Sequence, residues 1–427
     1  MMAMESTGAE AMGIRSDARR RDGARLVPRR GGNVLLLSMR GLADLVAYCL
    51  QYEFEDVVAD VTGADRVDVG DRDALEFSRR AYKLARFTTG SRSFARAFAP
   101  RPSTVKLERD YDLFFPVFNS PWELFALATV PHWRQRCRVA ACFVNEIWAS
   151  DLPGYLLELL AEFDHVFVGL RHPIGELARI IGRPCSYLPL AVDVLRFAPL
   201  PDAPLRAIDV CNIGRRSPVT HGALARLASD RRIFYYYDTV AASGHGQRQR
   251  TFHVDDASEH RLLLASILQR SRFFIANRAL VNESEVTRGR HEISGRFYEG
   301  AAAGTVMLGE APRTEEFRTQ FDWADAVIPL PFDSPDVERL LVELDRDPQR
   351  LARISRENVR NAALRHDWGH RLRTVFETLG IPPTEGMLER EKRLGAIAAQ
   401  AAMPRGEQSH DRTYPQPVPV RVHPTYN

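Results

Sequence analysis

Lysine is nearly missing from this sequence. Lys83, Lys106 and Lys392 are its only lysines, and arginine supplies the rest of the basic charge. With the abundance of alanine, that bias looks like the product of a GC-rich genome, so a run such as Arg19-Arg20-Arg21 carries less functional weight than usual. Net charge is only +3 over 427 residues, and no basic stripe is interleaved with aromatic residues, which excludes a nucleic-acid-binding polycation. Cysteine is also sparse. Cys49, Cys137, Cys142, Cys185 and Cys211 lie scattered, mostly in apolar runs, with no CxxC pair. An odd, unpaired set excludes a disulfide framework and structural zinc, and fits buried thiols in a reducing cytosol. No apolar run approaches the roughly 18 residues that a membrane span needs. The sequence also lacks a P-loop, a dinucleotide G-x-G-x-x-G, a heptad run and internal repeats.

What remains is the composition of a folded globular protein, 45% hydrophobic and 26% charged, and long enough for two domains of roughly 150–200 residues. Residues 1–31 lack the apolar core of a secretory signal and are expected to form a disordered basic leader, with contact to an acidic or anionic lipid surface left open. Order is expected from "NVLLLS" (33–38), a buried strand, while the segment up to about 110 has a mixed pattern. Beyond it, "DLFFPVF", "RVAACFVN", "HVFVG" and "SYLPL" read as strands. They alternate with helices over "SPWELFALATV", "LPGYLLELLAEF" and "PIGELARIIG". That rhythm predicts a parallel sheet with helices on both faces. The Pro-rich stretch 193–206 is expected to be a hinge. Alternation then restarts with strands "IDVCNIG", "RIFYYYD", "RFFIAN" and "TVMLG", separated by helices. The expected architecture is α/β, with two Rossmann-like doubly wound domains facing a cleft. These are residues 32–192 and 207–382, followed by a helical and then disordered tail over 383–427. Ligands in such sheets sit outside the carboxyl ends of the strands.

One stretch of the second half raises a specific question. "SGRFYEGAAAGTVMLG" (294–309) places Glu299 in a short helix among small and apolar residues. A carboxylate is seldom buried there without a partner. Ser294 is expected to cap this helix and Gly304 to end it in the left-handed conformation. The loop before it, 277–294, is long, polar and rich in ions, with Asn277, Arg278, Glu283, Arg290, His291 and Glu292. It lies at the carboxyl end of a strand, where nucleotides bind. A carboxylate with two acceptor oxygens can hold both hydroxyls of a ribose, so a nucleotide sugar outside the chain is the expected partner of Glu299.

"GRFYEGAAAGTVMLGE" resembles the donor-site segment of bacterial GT-B-fold glycosyltransferases of the broad group 1/family 4 class. The likeness extends from "IDVCNIGRR" through "RHDWGHRLRTVFETL" and more weakly over the first half. The resemblance implies transfer of a sugar from a nucleotide-diphosphate sugar, with no further cofactor and no metal, and usually with retention of configuration. It matches Glu299 to the second glutamate of the E-x7-E motif, which holds the ribose. The first glutamate of that motif would fall at position 291, which is His291. Glu292 lies one residue later, giving E-x6-E.

Two further constellations complete the expected site. In "NIGRRSPVTHG", Gly214 lets the chain turn after a strand, and Arg215 follows where a guanidinium can clamp a pyrophosphate. Arg278 and Arg296 are candidates for the same task. The donor set is therefore Gly214, Arg215, Asn277, Arg278, Arg296, Glu299 and Gly304. On the acceptor side, "VNEIWASDLPG" offers Glu146, Trp148 and Asp151, and "FNSPWEL" offers Asn119 and Trp122. Indoles can stack on sugar faces, and carboxylates can bind hydroxyls or act as base. Glu146, Asp151 and Glu292 are the candidate catalytic carboxylates. His366 and His370 in "HDWGH" have metal-pair spacing but no third ligand, so packing is the expectation. The acceptor, whether glycan, lipid-linked or protein, stays open, as does peripheral contact of a cytoplasmic enzyme with the inner membrane. Two other readings compete with this one: a sugar-nucleotide epimerase of the same fold, and a non-catalytic relative that binds a partner in an assembly.

Overall fold

The computed structural model describes residues 23–29, 32–42, 45–70, 72–91, 94–95, 104–147, 152–238 and 254–403. Two parallel sheets account for its core. The first takes β1 (Arg25–Val27), β2 (Val34–Ser38), β3 (Asp65–Asp68), β4 (Tyr111–Phe118), β5 (Cys137–Val144), β6 (His165–Val168) and β7 (Cys185–Tyr187), in the order β1-β3-β2-β4-β5-β6-β7. All neighbours are parallel except β1, which runs antiparallel along β3. The expected leader is therefore ordered at its far end, where Arg25–Val27 pairs with residues 66–68 and the Arg29 amide donates to Asp65 at 2.7 Å. Its first 22 residues lie outside the described residues, as does the tail beyond residue 403.

The second sheet holds β8 (Ile208–Asn212), β9 (Tyr235–Tyr237), β10 (Ser271–Ile275), β11 (Val306–Gly309) and β12 (Ile328–Pro329) in the order β12-β11-β10-β8-β9, parallel throughout. Strand order reverses between β2 and β4 in one sheet and between β8 and β10 in the other. A doubly wound sheet opens a crevice at such a point, outside its carboxyl edge. Two such α/β sheets in succession are what the alternation of strands and helices predicts.

The helices that matter below are α1 (Cys49–Thr62), α2 (Arg72–Thr89), α3 (Pro218–Ser229), α4 (Ala257–Gln269), α5 (Gly295–Ala302), α6 (Pro348–Arg365), α7 (Trp368–Thr378) and α8 (Glu385–Ala402). The mixed segment before residue 110 contains α1 and α2. α1 escapes a periodicity reading because almost every one of its residues is buried. "SPWELFALATV" forms a 3-10 helix, Pro121–Thr129, rather than an α-helix.

Each sheet is covered on both faces, but the covering does not follow chain order. The core on one face of the first sheet joins Leu36, Phe54, Phe115 and Phe143 to Trp368, Leu372, Phe376 and Met387. Trp368 stacks on Phe54 with ring centroids 4.5 Å apart. α7 and α8 thus return to the first domain, so the C-terminal domain expected as 207–382 and the helical part of its tail are both shared between the two halves. α8 also sends Leu394, Ala398 and Ala401 into the core of the second domain. The expected hinge is pinned at its start, where Arg390 donates to Asp193 at 2.6 Å and to both oxygens of Asp367 at 2.6 and 2.8 Å.

Candidate functional site

The question posed by Glu299 is answered inside the chain. α5 places it 3% exposed. One of its oxygens accepts from Arg261 Nη1, and the other accepts from Arg296 Nη1 at 2.8 Å. Arg261, on α4, also donates through Nε and Nη2 to Glu53 of α1 at 2.7 and 3.1 Å. Glu53 further accepts from the Asp193 amide at 2.8 Å and from Trp368 Nε1 at 3.2 Å. Two carboxylates and two guanidiniums therefore alternate through the buried seam between the domains. Burial would raise the Glu299 carboxyl, but Arg296 and Arg261 outweigh it and hold it down at about 2. The expectation that hydroxyls from outside the chain satisfy Glu299 is corrected, because the arginines occupy both oxygens.

The sequence reading missed Arg261, although a signal was present. Arg261, Leu264, Ala265 and Leu268 share one helical face by their i, i+3, i+4, i+7 spacing, and all four are buried. A cation on an apolar stripe implies a buried anion facing it. Glu53 had no comparable signal, since helical phase singles out nothing in a helix buried nearly all round.

At the reversal point of the second sheet, the carboxyl ends of β8 and β10 bring several expected donor residues together. Gly214 follows β8 at φ +82°, a conformation that favours glycine, and its amide donates to Asp238 at 3.1 Å. A Cβ there would lie 3.4 Å from Arg296 Nη2, so Arg296 reaches from Glu299 to the turn itself. Arg215 pairs with Glu283 in the long loop, and Arg216 with Asp238. A small depression here is lined by Asn212, Arg215, Ser217, Thr220, Asn277 and Phe332, among others. It opens at the N-terminus of α3, where Ser217 Oγ accepts from the amides of Val219 and Thr220 at 3.1 and 3.2 Å. A helix start and guanidiniums around one turn favour an anion.

Other expected donor residues are used differently. Asn277 Oδ1 accepts from the Glu310 amide at 2.8 Å, and the Asn277 carbonyl accepts from Ser294 Oγ at 2.6 Å. Ser294 thus holds the cap position of α5 without a side-chain cap bond, because its hydroxyl is spent on the loop. Arg278 Nε donates to Glu310 at 2.9 Å, fixing the same loop to the end of β11. Gly304 is corrected outright. It ends α5 in the left-handed conformation (φ +65°), but at the amino-terminal edge of the strands, beside Arg206. A Cβ at Gly304 would meet Val359 of α6 at 2.8 Å, so its role is a turn against a packed helix.

His291 occupies the motif position expected for glutamate, and its Nδ1 accepts from the Arg313 amide at 3.3 Å. Burial and Arg278 keep its pKa below the ordinary value, consistent with a neutral acceptor ring. Glu292 turns toward the first domain, with Oε1 3.3 Å from Nδ1 of His172, which follows β6. His366 and His370 each place Nε2 2.9 Å from a carbonyl, of Gln320 and Ala363, in line with a packing role.

On the first sheet, Asn119 and Glu146 follow adjacent strands, and the Glu146 amide donates to the Asn119 carbonyl at 2.8 Å. Asn119 Oδ1 accepts from Asn145 Nδ2 at 3.0 Å, while the side chain of Glu146 is exposed. Trp122 is 44% exposed, with Lys83 Nζ 4.6 Å from its ring centroid. Trp148 and Asp151 lie outside the described residues. The sequence reading passed over Glu123 within "FNSPWEL". Its carboxylate accepts from Tyr48 Oη and, at 2.7 Å, from the Asn119 amide, and burial pushes it up to about 7. Deeper in the same crevice, Glu55 is fully buried and pushed by burial up to about 8. Ser38 Oγ donates to one of its oxygens, and no hydrogen bond reaches the other among the described residues.

Comparison with known proteins matches part of the chain to a family. Residues 208–377, from the first residue of β8 to the last turn of α7, match the model of a family described as glycosyl transferase-like. None of the curated proteins matches the chain. Among solved structures, it is similar to Anabaena HepE in complex with UDP-glucose, at 11% identity and a TM-score of 0.43, covering 81% of this chain and 99% of that one. It is also similar to a UDP-forming α,α-trehalose-phosphate synthase from Burkholderia vietnamiensis, at 12% identity and a TM-score of 0.41, covering 84% and 99%.

Proposed function

We propose, from the match of residues 208–377 to a glycosyl transferase-like family, that this chain moves a sugar from a nucleotide-diphosphate sugar to an acceptor held by the first domain. The observation that carries the reading is the turn at Gly214. There Arg215, the Arg296 guanidinium and the start of α3 converge at the reversal point of the second sheet. Charge that develops on a departing diphosphate would be stabilised by these groups, without a metal ion. Arg296 has one Nη on Glu299 and the other near Gly214, so Glu299 acts on the donor by orienting Arg296. The acceptor, a glycan, a lipid-linked sugar or a protein, would lie against Asn119, Trp122 and Glu146. Transfer with retention needs no dedicated base. Transfer with inversion would use Glu146 in that role.

The test is thermal stabilisation of the purified chain by UDP-, GDP-, dTDP- and ADP-sugars, beside Arg215→Ala. A ligand at a hundred times its dissociation constant contributes about 2.7 kcal/mol, which is readily seen as a melting shift. One nucleotide is expected to shift the wild type and to shift the variant less. Absence of any shift across the panel refutes the donor site. A second reading is favoured by one observation, the histidine that replaces the first motif glutamate and is spent on the Arg313 amide. It is a binding protein that retains donor affinity without turnover, and a product assay beside the melting shift separates the two.

A further inference from the structure

We propose that the outward face of α2 docks the first domain onto an anionic lipid bilayer. Residues 72–106 carry Arg or Lys at 72, 79, 80, 83, 86, 92, 96, 101 and 106, against Asp73 and Glu76 alone, in a chain whose whole net charge is +3. Positive charge is therefore concentrated in this segment. α2 uses one face for packing, with Tyr82 and Ala85 entering the core of the first domain. Its opposite face is apolar and open. Phe77 is 62% exposed, Leu84 62% and Phe87 89%, and Arg80 is exposed between them. These positions recur at i, i+3, i+7 and i+10, so they form one stripe along the helix. Phe94 at 49% and Trp122 at 44% add apolar surface in the same part of the domain.

A helix that shows aromatic and aliphatic side chains to solvent with Arg80 between them, in a segment whose sequence is strongly basic, has the composition of one that lies in a headgroup layer. Each basic residue near an anionic surface adds attraction, and an indole suits the interface. A second copy of this chain fits the face less well, because a two-fold contact would bring its like charges together. The bilayer supplies both complements, negative headgroups for the arginines and acyl chains for Phe77, Leu84 and Phe87. Lys83 connects this face to Trp122, so a lipid-borne acceptor would arrive beside the residue assigned to acceptor contact. That last step rests on the proposed function, while docking does not.

The experiment is flotation of the full chain with vesicles of equal parts phosphatidylglycerol and phosphatidylcholine, or of phosphatidylcholine alone, without nucleotide sugar. The wild type is expected to float with the anionic vesicles only, and less at high salt. The triple variant Phe77→Ser/Leu84→Ser/Phe87→Ser is expected to partition roughly tenfold less or weaker still, with Arg80→Glu and the single Phe87→Ser in between. Unchanged circular dichroism and melting of the single variant exclude misfolding as the cause. No flotation, equal flotation with uncharged vesicles, or a triple variant that floats like the wild type overturns the proposal. So does a lipid-free dimer in sedimentation that the triple variant abolishes, which would assign the face to a second copy. Donor-induced melting shifts are measured apart from flotation, so failure of one reading is distinct from failure of the other.

Discussion

Replacing Arg261 with methionine keeps most of its length and apolar stem while removing the charge that separates Glu53 from Glu299. Three hydrogen bonds disappear, two to Glu53 and one to Glu299. Glu299 keeps Arg296 at 2.8 Å, but Glu53 has no other salt-bridge partner among the described residues and retains only the Asp193 amide and Trp368 Nε1. Removing one partner of a buried ion pair typically costs about 3–5 kcal/mol, because the remaining charge is left uncompensated. Spread over 427 residues, that corresponds to a fall in melting temperature of roughly 3–6 °C. The pH dependence gives a sharper test. In the wild type, Glu299 has its pKa held at about 2, below its unfolded value. Its contribution is present above the ordinary carboxylate pKa and is lost only as pH falls through about 2. Burial already raises the Glu53 carboxyl above its ordinary value in the wild type, against the pull of Arg261, and loss of that counter-ion in the variant raises it further. The penalty then grows with pH, being largest near about pH 8 and smaller near about pH 5. Urea titrations followed by tryptophan fluorescence report it, since Trp368 donates to Glu53. A deficit under about 1 kcal/mol, or one that does not change over that range, would refute the account of the seam.

Other outcomes follow from the same geometry. Glu55→Gln should remove a group that resists ionisation in the fold. The wild type loses stability as pH rises from the unfolded carboxylate pKa through about 8, and the variant should not, so melting curves at several pH values should diverge upward by a few kcal/mol, roughly. Gly309→Ala would set a Cβ 1.8 Å from the Ala276 carbonyl oxygen and 3.0 Å from Asn277 Oδ1. It should destabilise the second domain by roughly 3 kcal/mol or more and weaken any nucleotide-induced melting shift, as measured by denaturation and ligand titration.

The alternation of strand and helix was readable because each strand of a two-sided parallel sheet is a short apolar run between polar turns. "RVAACFVN" and "RFFIAN" therefore stood out, and they form β5 and β10. α1 did not, since helical periodicity needs a wet face and this helix hardly has one. Gly214 was legible as a turn because a glycine that closes a strand has few other uses, and it follows β8 at φ +82°. Glu299 was legible as unusual, but not in its use. Its partners Arg261 and Arg296 lie 38 residues before it and one turn before it, and the buried stripe that marks Arg261 implies an anion facing it without saying which one. Gly304 was read correctly as a helix stop. Its distance from the turn at Gly214 follows from topology, because a helix that leads into a parallel strand must end at that strand's amino edge.

The return of α7 and α8 to the first domain bears on the order in which the molecule can be completed. A ribosome delivers β2 through β7 early, yet one side of that sheet has no Trp368, Leu372, Phe376 or Met387 to cover it until nearly 390 residues have been made. The second sheet also takes Leu394, Ala398 and Ala401 of α8 into its core, so both halves are completed by the same last helices. The nascent first domain must wait with an apolar surface uncovered, and that interval is when a chaperone would find it.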